Sequence, residues 1–345
     1  MNGMTDEVGT RFDRRRFLVT TTAIGASSFL GLPSAVAAEP PPETKRIRLI
    51  TDEAICLAPQ FLSADLLRFE GFDHVEYVRQ NYDKHPTQGA TVAAGEADIT
   101  ADAAINLAAL IDAGRPLTIL SGVHIGCWEF FGGKRVRAIR DLKGKRIPIA
   151  APGAEEHLIT ASILAYLAMD PRKDVEFVTI PAFDDQVKAF VAGDVDAIFA
   201  FPPQPQRLRA ENVGHVIIDS AQDRPWSQYF CCMVVTDREF ATHNPVATKR
   251  ALRAFLKAAD ICAQDPQRAA QYLVAKGHEK RYETALEVLT KVPYGRWRLD
   301  NPEDTLRFHA LRLREVGMIK SSPNKLITQG TDWRFLNELK KELKA

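Results

Sequence analysis

Apolar positions along the chain fall into two rhythms. The runs RIRLI (46–50), HVEYV (74–78), RIPIA (146–150) and DVEFV (174–178) are short and rich in Ile and Val, as strands are. Between them, APQFLSADLLRFEGF (58–72) and AEEHLITASILAYLAM (154–169) space apolar residues three and four apart, as a helix with one buried face does. The first set closes with VAAGEADIT (92–100), and the second with the similar FVAGDVDAIF (190–199). Each copy reads as a helix end stopped by a left-handed glycine, Gly95 or Gly193, then an acidic turn and a buried strand.

Three features recur in order: Ile47 with Ile147, residues 75–78 with 175–178, and Gly95 with Gly193. Both halves therefore run strand, helix, strand, helix, strand. Such βαβ units imply mainly parallel sheets covered by helices, and two similar α/β lobes. Pro148 lacks the N–H that a central strand needs, so it fits only a strand end or an edge.

After the second copy, QYFCCMVV (228–235) has the pattern of one more buried strand, with no third cycle behind it. Helical spacing follows at 244–265, 266–277, 282–292, 301–317 and 331–345, the first opening with Asn244 as N-cap and Pro245 at N1. These amphipathic helices are expected to bury their apolar stripes on the first lobe, to which the chain returns through 228–235.

Composition narrows the classes. A chain of 345 residues exceeds what one core usually organises, which agrees with two lobes. With 45 basic and 44 acidic residues the formal charge is +1, giving no footing for non-specific nucleic-acid binding. The N-terminus has three arginines (14–16), an apolar run from Phe17 to Leu32, and the small-residue pattern Ala35-Val36-Ala37. Arg-Arg-x-Phe-Leu at 14–18 is similar to a twin-arginine export signal, with Asp13 where Ser or Thr is usual. The apolar run is too short and too rich in Thr, Ser and Gly for a membrane span. Residues 1–38 are thus an expected signal peptide, and 39–45 a Pro-rich spacer with no means of packing.

Export gives the five cysteines, 56, 127, 231, 232 and 262, some interest. An odd count in an oxidising compartment leaves at least one free thiol. Cys231 and Cys232 are adjacent, so in a regular strand they point to opposite faces and are poorly placed to bind one metal. There is no C-x-x-C, nor a pair of histidines at ligand spacing near a cysteine. The cysteines read as small buried hydrophobes, with a Cys56–Cys127 disulfide as the main alternative. No cofactor and no metal ligand are expected.

Three motifs carry a family resemblance: GEADIT continuing into INLAALIDAGRPLTILSGV (105–123), IRDLKGKRIPIAAPGAEEH (139–157) and FVAGDVDAIFAFPPQPQRL (190–208). Over residues 45–345 the chain resembles the periplasmic solute-binding proteins of ABC importers, in the nitrate, taurine and aliphatic-sulfonate branch that shares its fold with a eukaryotic thiamine-pyrimidine synthase. The resemblance implies an α/β, two-lobed type II periplasmic-binding-protein-like fold, each lobe a mainly parallel sheet flanked by helices, with a helical C-terminal part. Lobe 1 would comprise 46–123 and 231–345, lobe 2 would be 133–224, and hinge crossings would lie at 124–132 and 225–230. It also implies a non-catalytic periplasmic monomer, whose partners are a small-molecule ligand and a membrane permease with its ATPase. A ligand-binding sensor and a pyrimidine-synthase-like enzyme are the alternatives. One departure stands out: the family's Gly-Ser-x-x-His is here Gly153-Ala154-Glu155-Glu156-His157.

Ligands of open parallel sheets sit beyond the carboxyl ends of the strands, where helix N-termini point. That selects the loops at 51–59, 101–106, 150–157 and 199–205, together with the crossings. The expected ligand-binding residues are Asp52, Ile55, Asp102, Trp128, Glu129, Gly153, Glu155, His157, Phe201, Pro202 and Trp226. Trp128 or Trp226 would stack on the ligand, Glu129 or Asp102 would bond it, and Phe201-Pro202-Pro203 would form a rigid apolar wall. Carboxylates at 52, 53, 102, 155 and 156 argue against a sulfonate or nitrate and for a small organic solute with an aromatic or nitrogen-bearing part. A vitamin-type pyrimidine is one example, and an aliphatic sulfonate is the alternative.

Overall fold

The computed structural model describes residues 39–344, so the expected export signal at 1–38 lies outside the described residues. Ten strands are found there: β1 (Arg46–Thr51), β2 (His74–Arg79), β3 (Ile99–Ala103), β4 (Leu117–Ile125), β5 (Glu129–Gly132), β6 (Lys145–Ile149), β7 (Val175–Thr179), β8 (Ala197–Ala200), β9 (His215–Asp219) and β10 (Phe230–Asp237). The helices of the two halves are α1 (Ala58–Phe69), α2 (Gln88–Ala93), α3 (Ala104–Asp112), α4 (Glu155–Tyr166), α5 (Phe183–Ala192) and α6 (Gln204–Ala210). The C-terminal part adds α7 (Arg238–His243), α8 (Pro245–Gln264), α9 (Pro266–Ala275), α10 (Tyr282–Lys291), α11 (Pro302–Glu315), α12 (Pro323–Gly330) and α13 (Arg334–Glu342).

One strand plan is used twice. The first sheet runs β2-β1-β3-β10-β4, with only β10 antiparallel to its neighbours. In the second half β7 pairs with β6 in parallel, β6 lies beside β8, and β5 runs antiparallel between β8 and β9. The antiparallel strand is in each case the one that enters from the other half, β10 after β9 and β5 after β4.

The repeated acidic turn has a mechanical role. Asp98 accepts from the Arg48 N–H at 2.7 Å, while its own N–H donates to the Arg48 carbonyl at 2.9 Å. Asp196 does the same with Arg146, at 3.0 and 2.9 Å. Both arginines also reach back to the glycine carbonyl, Arg48 to Gly95 at 2.9 Å and Arg146 to Gly193 at 3.2 Å. Those glycines have φ of +73° and +81°, the left-handed stop the sequence calls for. The clamp also corrects the alignment. Arg48 corresponds to Arg146, so the equivalent of Ile147 is Leu49, two residues on from Ile47.

Pro148 explains why the second sheet is divided. The Arg146 carbonyl bonds toward β8, and Pro148, two residues on, turns to the same side with no N–H to donate. The β6–β8 ladder therefore fails while β6–β7 persists.

From Pro40 onward the chain forms one compact unit. Of the C-terminal helices, α8 lies along α1 and against β4 of the first half, α11 reaches both α3 and α4, and Trp297 and Tyr294 are fully buried. The Pro-rich spacer departs from its expectation. Pro42 is buried, and Glu43 accepts from the Val246 and Ala247 N–H groups at the head of α8, at 3.0 and 2.8 Å. Glu43 thus does the capping expected of Asn244, whose side chain makes no cap bond.

Candidate functional site

Between the halves lies a cavity of about 60 Å³, floored by the 3-10 turn at Ile55–Leu57 and by the bulged start of β10. Asp52 is at its mouth, Asp102 and Asn106 form one side, and Glu155 and Phe201 reach in from the second half. It shares Asp52, Tyr82 and Phe201 with an outer cleft of about 480 Å³, so it opens to solvent through that cleft. No Lys or Arg lines the inner cavity among the described residues; Arg79 lies in the outer cleft.

The acidic groups are held by neighbours. Asp102 takes the Gly89 and Ala103 N–H groups, each at 2.7 Å, and the Asn106 amide at 3.1 Å. The same amide donates to Glu155 at 3.1 Å and so bridges α3 to α4 across the gap. Asp52 accepts from Gln88 at 2.8 Å and from the Tyr82 hydroxyl. Burial raises Asp102 from the ordinary carboxylate range. It pushes Glu155 up much further, with the Cys231 thiol and Asp102 adding to it. Glu155 is thereby pushed toward the neutral form, while its oxygen accepts from the Asn106 amide.

The rest of the lining was not legible in the sequence. Cys56, Cys127, Cys231 and Cys232 all face the cavity, and all are free thiols. The expectation that Cys231 and Cys232 point apart fails because β10 is irregular on both sides of Cys232, which brings both thiols to one side. The Cys127 and Cys231 sulfurs lie 3.3 Å apart, and the Cys56 and Cys127 thiols also interact. His124, wholly buried at the end of β4, joins Cys56 and Cys127, the three donor atoms lying within 4.8 Å of one another. The Cys127 and Cys232 thiols lower Cys56, aided by His124, and outweigh its burial. His124 is burdened by burial but raised overall by Cys56.

The other expected site residues fall elsewhere. Trp128 is buried against Phe199 and Trp226, with centroids at 5.6 and 5.9 Å, and Trp226 also meets Tyr166. Both tryptophans thus brace the crossings and leave no ring face on the cavity. Glu129 is engaged by Lys291 at 2.6 Å and by Arg209. Ile55 is buried within the turn itself, and Pro202 is buried beside Phe201. The Gly153 N–H donates to His157 Nδ1 at 2.8 Å, a local closure of the loop before α4. Asp52, Asp102, Glu155 and Phe201 are the members that meet in one place.

The paired sheets, the double crossing and a site beyond the strand ends define a periplasmic-binding-protein fold. Residues 129–276 match the model of the NMT1-like family. Among solved structures, the periplasmic nitrate-binding protein NrtA from Synechocystis PCC 6803 superposes with a TM-score of 0.72 at 15% identity, covering 88% of this chain and 90% of that one. The alkanesulfonate-binding protein SsuA from Xanthomonas axonopodis pv. citri, bound to MOPS, gives 0.65 at 17% identity, over 83% and 96%. The desulfurization enzyme DSZB gives 0.57 at 16% identity, over 86% and 100%. No curated protein matches the chain significantly. The fold expected from the sequence motifs stands, and the NMT1-like match covers residues 129–276.

Proposed function

We propose that the chain is the solute-binding component of an ABC-type importer, exported to the periplasm by its twin-arginine-type signal and acting there as a monomer. Two lobes, 46–123 with 231–345 and 133–224, close about hinges at 124–132 and 225–230 and present the captured solute to a membrane permease with its ATPase. The observation that carries this reading is the cavity between the two halves, closed by the Asn106 bridge from α3 to α4. With Asp52 at its mouth, Asp102 and a Glu155 raised by burial inside, and no cation lining it, the cavity offers nothing to balance an anion, so the solute is small and carries no net negative charge. A nitrate or a sulfonate does not suit this lining.

A second reading has its own support: the Cys56–His124 pair beside acidic groups could serve catalysis, and one protein of like fold is a desulfurization enzyme. A thermal-shift panel of pyrimidines, amines, metal ions, taurine and nitrate separates the readings. A binding protein is stabilised in proportion to the logarithm of solute concentration and leaves the solute unchanged. Turnover of the stabilising compound establishes the enzyme, and stabilisation by taurine or nitrate alone removes the electrostatic argument.

A further inference from the structure

We infer that the floor of the cavity is a metal site, in which Cys56, His124 and Cys127 hold a thiophilic d10 cation, Zn²⁺ or Cu⁺. This deepens the binding reading and rests on it: the ion is the solute. The two sulfurs and an imidazole nitrogen lie within 4.8 Å of one another. A tetrahedral centre with bonds of about 2.3 Å to sulfur and 2.0 Å to nitrogen has donor edges of about 3.6–3.8 Å. Bringing the donors in takes shifts of about an ångström or less, within the reach of side-chain rotation.

His124 gives an independent reason. It is wholly buried, and neither ring nitrogen makes a geometrically good hydrogen bond among the described residues, the Cys56 sulfur being the polar group beside it. Native interiors rarely leave both nitrogens of a histidine without one. Its surroundings hold the set in place: the Tyr294 ring meets His124 edge-on at 5.5 Å, and the Tyr294 hydroxyl donates to the Cys56 carbonyl at 3.0 Å. Cys231, 3.3 Å from the Cys127 sulfur, is at hand as a fourth donor.

The donor types choose the ion. Thiolate and imidazole select soft and borderline cations over Mg²⁺ or Ca²⁺, which want oxygen. Asp102, a buried carboxylate of the lining, already spends its oxygens on Gly89, Ala103 and Asn106. A cavity of about 60 Å³ admits an ion with a water or two. It is well below the roughly 300–1,000 Å³ of organic-ligand pockets. On binding, the Cys56 and Cys127 sulfurs each form a bond to the ion and release one proton to solvent, while His124 contributes a neutral lone pair.

The test loads the reduced, metal-free full chain with Zn²⁺ alone, and separately with Cu⁺ alone under anaerobic conditions, followed by gel filtration and elemental analysis. One ion per chain is expected in at least one of the two, and which of them identifies the cargo. Co²⁺ as a spectroscopic stand-in is expected to give thiolate-to-metal charge-transfer absorption, a readout that needs no variant. Cys56→Ser and Cys127→Ser should each weaken binding about ten-fold or more, and His124→Asn about ten-fold, with folding checked by circular dichroism. Cys262→Ser, buried in α8 away from the cavity, should change nothing. A Co²⁺ spectrum without thiolate bands, retention unchanged by both serine variants, or a Cys127–Cys231 disulfide in the chain as isolated overturns the site. If neither ion is retained while an organic solute of the panel stabilises the chain, the metal inference falls and the capture reading stands. If nothing binds, both fall.

Discussion

Lys291 on α10 ties the C-terminal helices to the second sheet, and its removal has a calculable consequence. Its ammonium lies 2.6 Å from Glu129 on β5 and 2.9 Å from Asp219 on β9, with those two carboxylate side chains 3% and 14% exposed. Glu129 also holds Arg209, whose other nitrogen reaches Glu287 at 2.5 Å near the surface. Lys291→Met keeps most of the side-chain volume but leaves two poorly hydrated carboxylates short of a counter-ion. Removing one partner of a buried pair costs about 3–5 kcal/mol. Arg209 remains on Glu129, so about 2–3 kcal/mol is expected here. Near 300 residues, that lowers Tm by about 3–6 °C. Glu287→Ala, which removes only the half-exposed end of the chain of charges, should cost about 0.5 kcal/mol. Urea denaturation of the three proteins at low and at high salt measures both effects, and the Lys291→Met loss should survive the salt because its partners are buried. A loss below 1 kcal/mol, or one equal to that of Glu287→Ala, would refute the reasoning.

Two further outcomes follow from buried positions. Burial lowers His309 on α11 to about 4, so it stays neutral in the folded chain while an unfolded histidine protonates near 6.5. Its contribution is present above 6.5 and lost as pH falls toward 4, about 2 kcal/mol between pH 7.5 and 5; His309→Gln should flatten that part of the denaturation profile, and an unchanged slope counts against the assignment. Gly126 in the first crossing has a φ of +38°, and a Cβ there would stand 2.4 Å from the Ser220–Ala221 backbone just after β9. Gly126→Ala should therefore cost about 2–4 kcal/mol, against about 1 for Gly95→Ala, where the added carbon meets open space. Equal melting temperatures for the two variants would remove the steric argument.

The repeat was readable because its parts are local. A glycine stop and an aspartate three residues later announce the clamp, and strand spacing announces the sheets. The two-residue slip between Ile47 and Leu49 was not readable, since a shift of two leaves every strand side chain on its own face. Helix α12 was not predicted either; its eight residues, PNKLITQG, are too few for a periodic signal. At the site, topology pointed to loops from which Asp52, Asp102, Glu155 and Phe201 line one cavity. The thiol cluster escaped because it draws on strand-end irregularity: only the distortion around Cys232 turns two adjacent cysteines to one side. His124-x-x-Cys127, set where the chain leaves the first sheet, was the one signal in the sequence that could have exposed it.

Native mass spectrometry of the chain, isolated folded from the cells that make it, tests the central claim most directly. If the cavity captures a solute, the wild-type chain carries one non-covalent added mass. Asn106→Leu, which removes the α3–α4 bridge and crowds the cavity, appears bare while keeping its fold. A wild-type chain found bare under every isolation condition, or an added mass retained equally by Asn106→Leu, would contradict capture at this site.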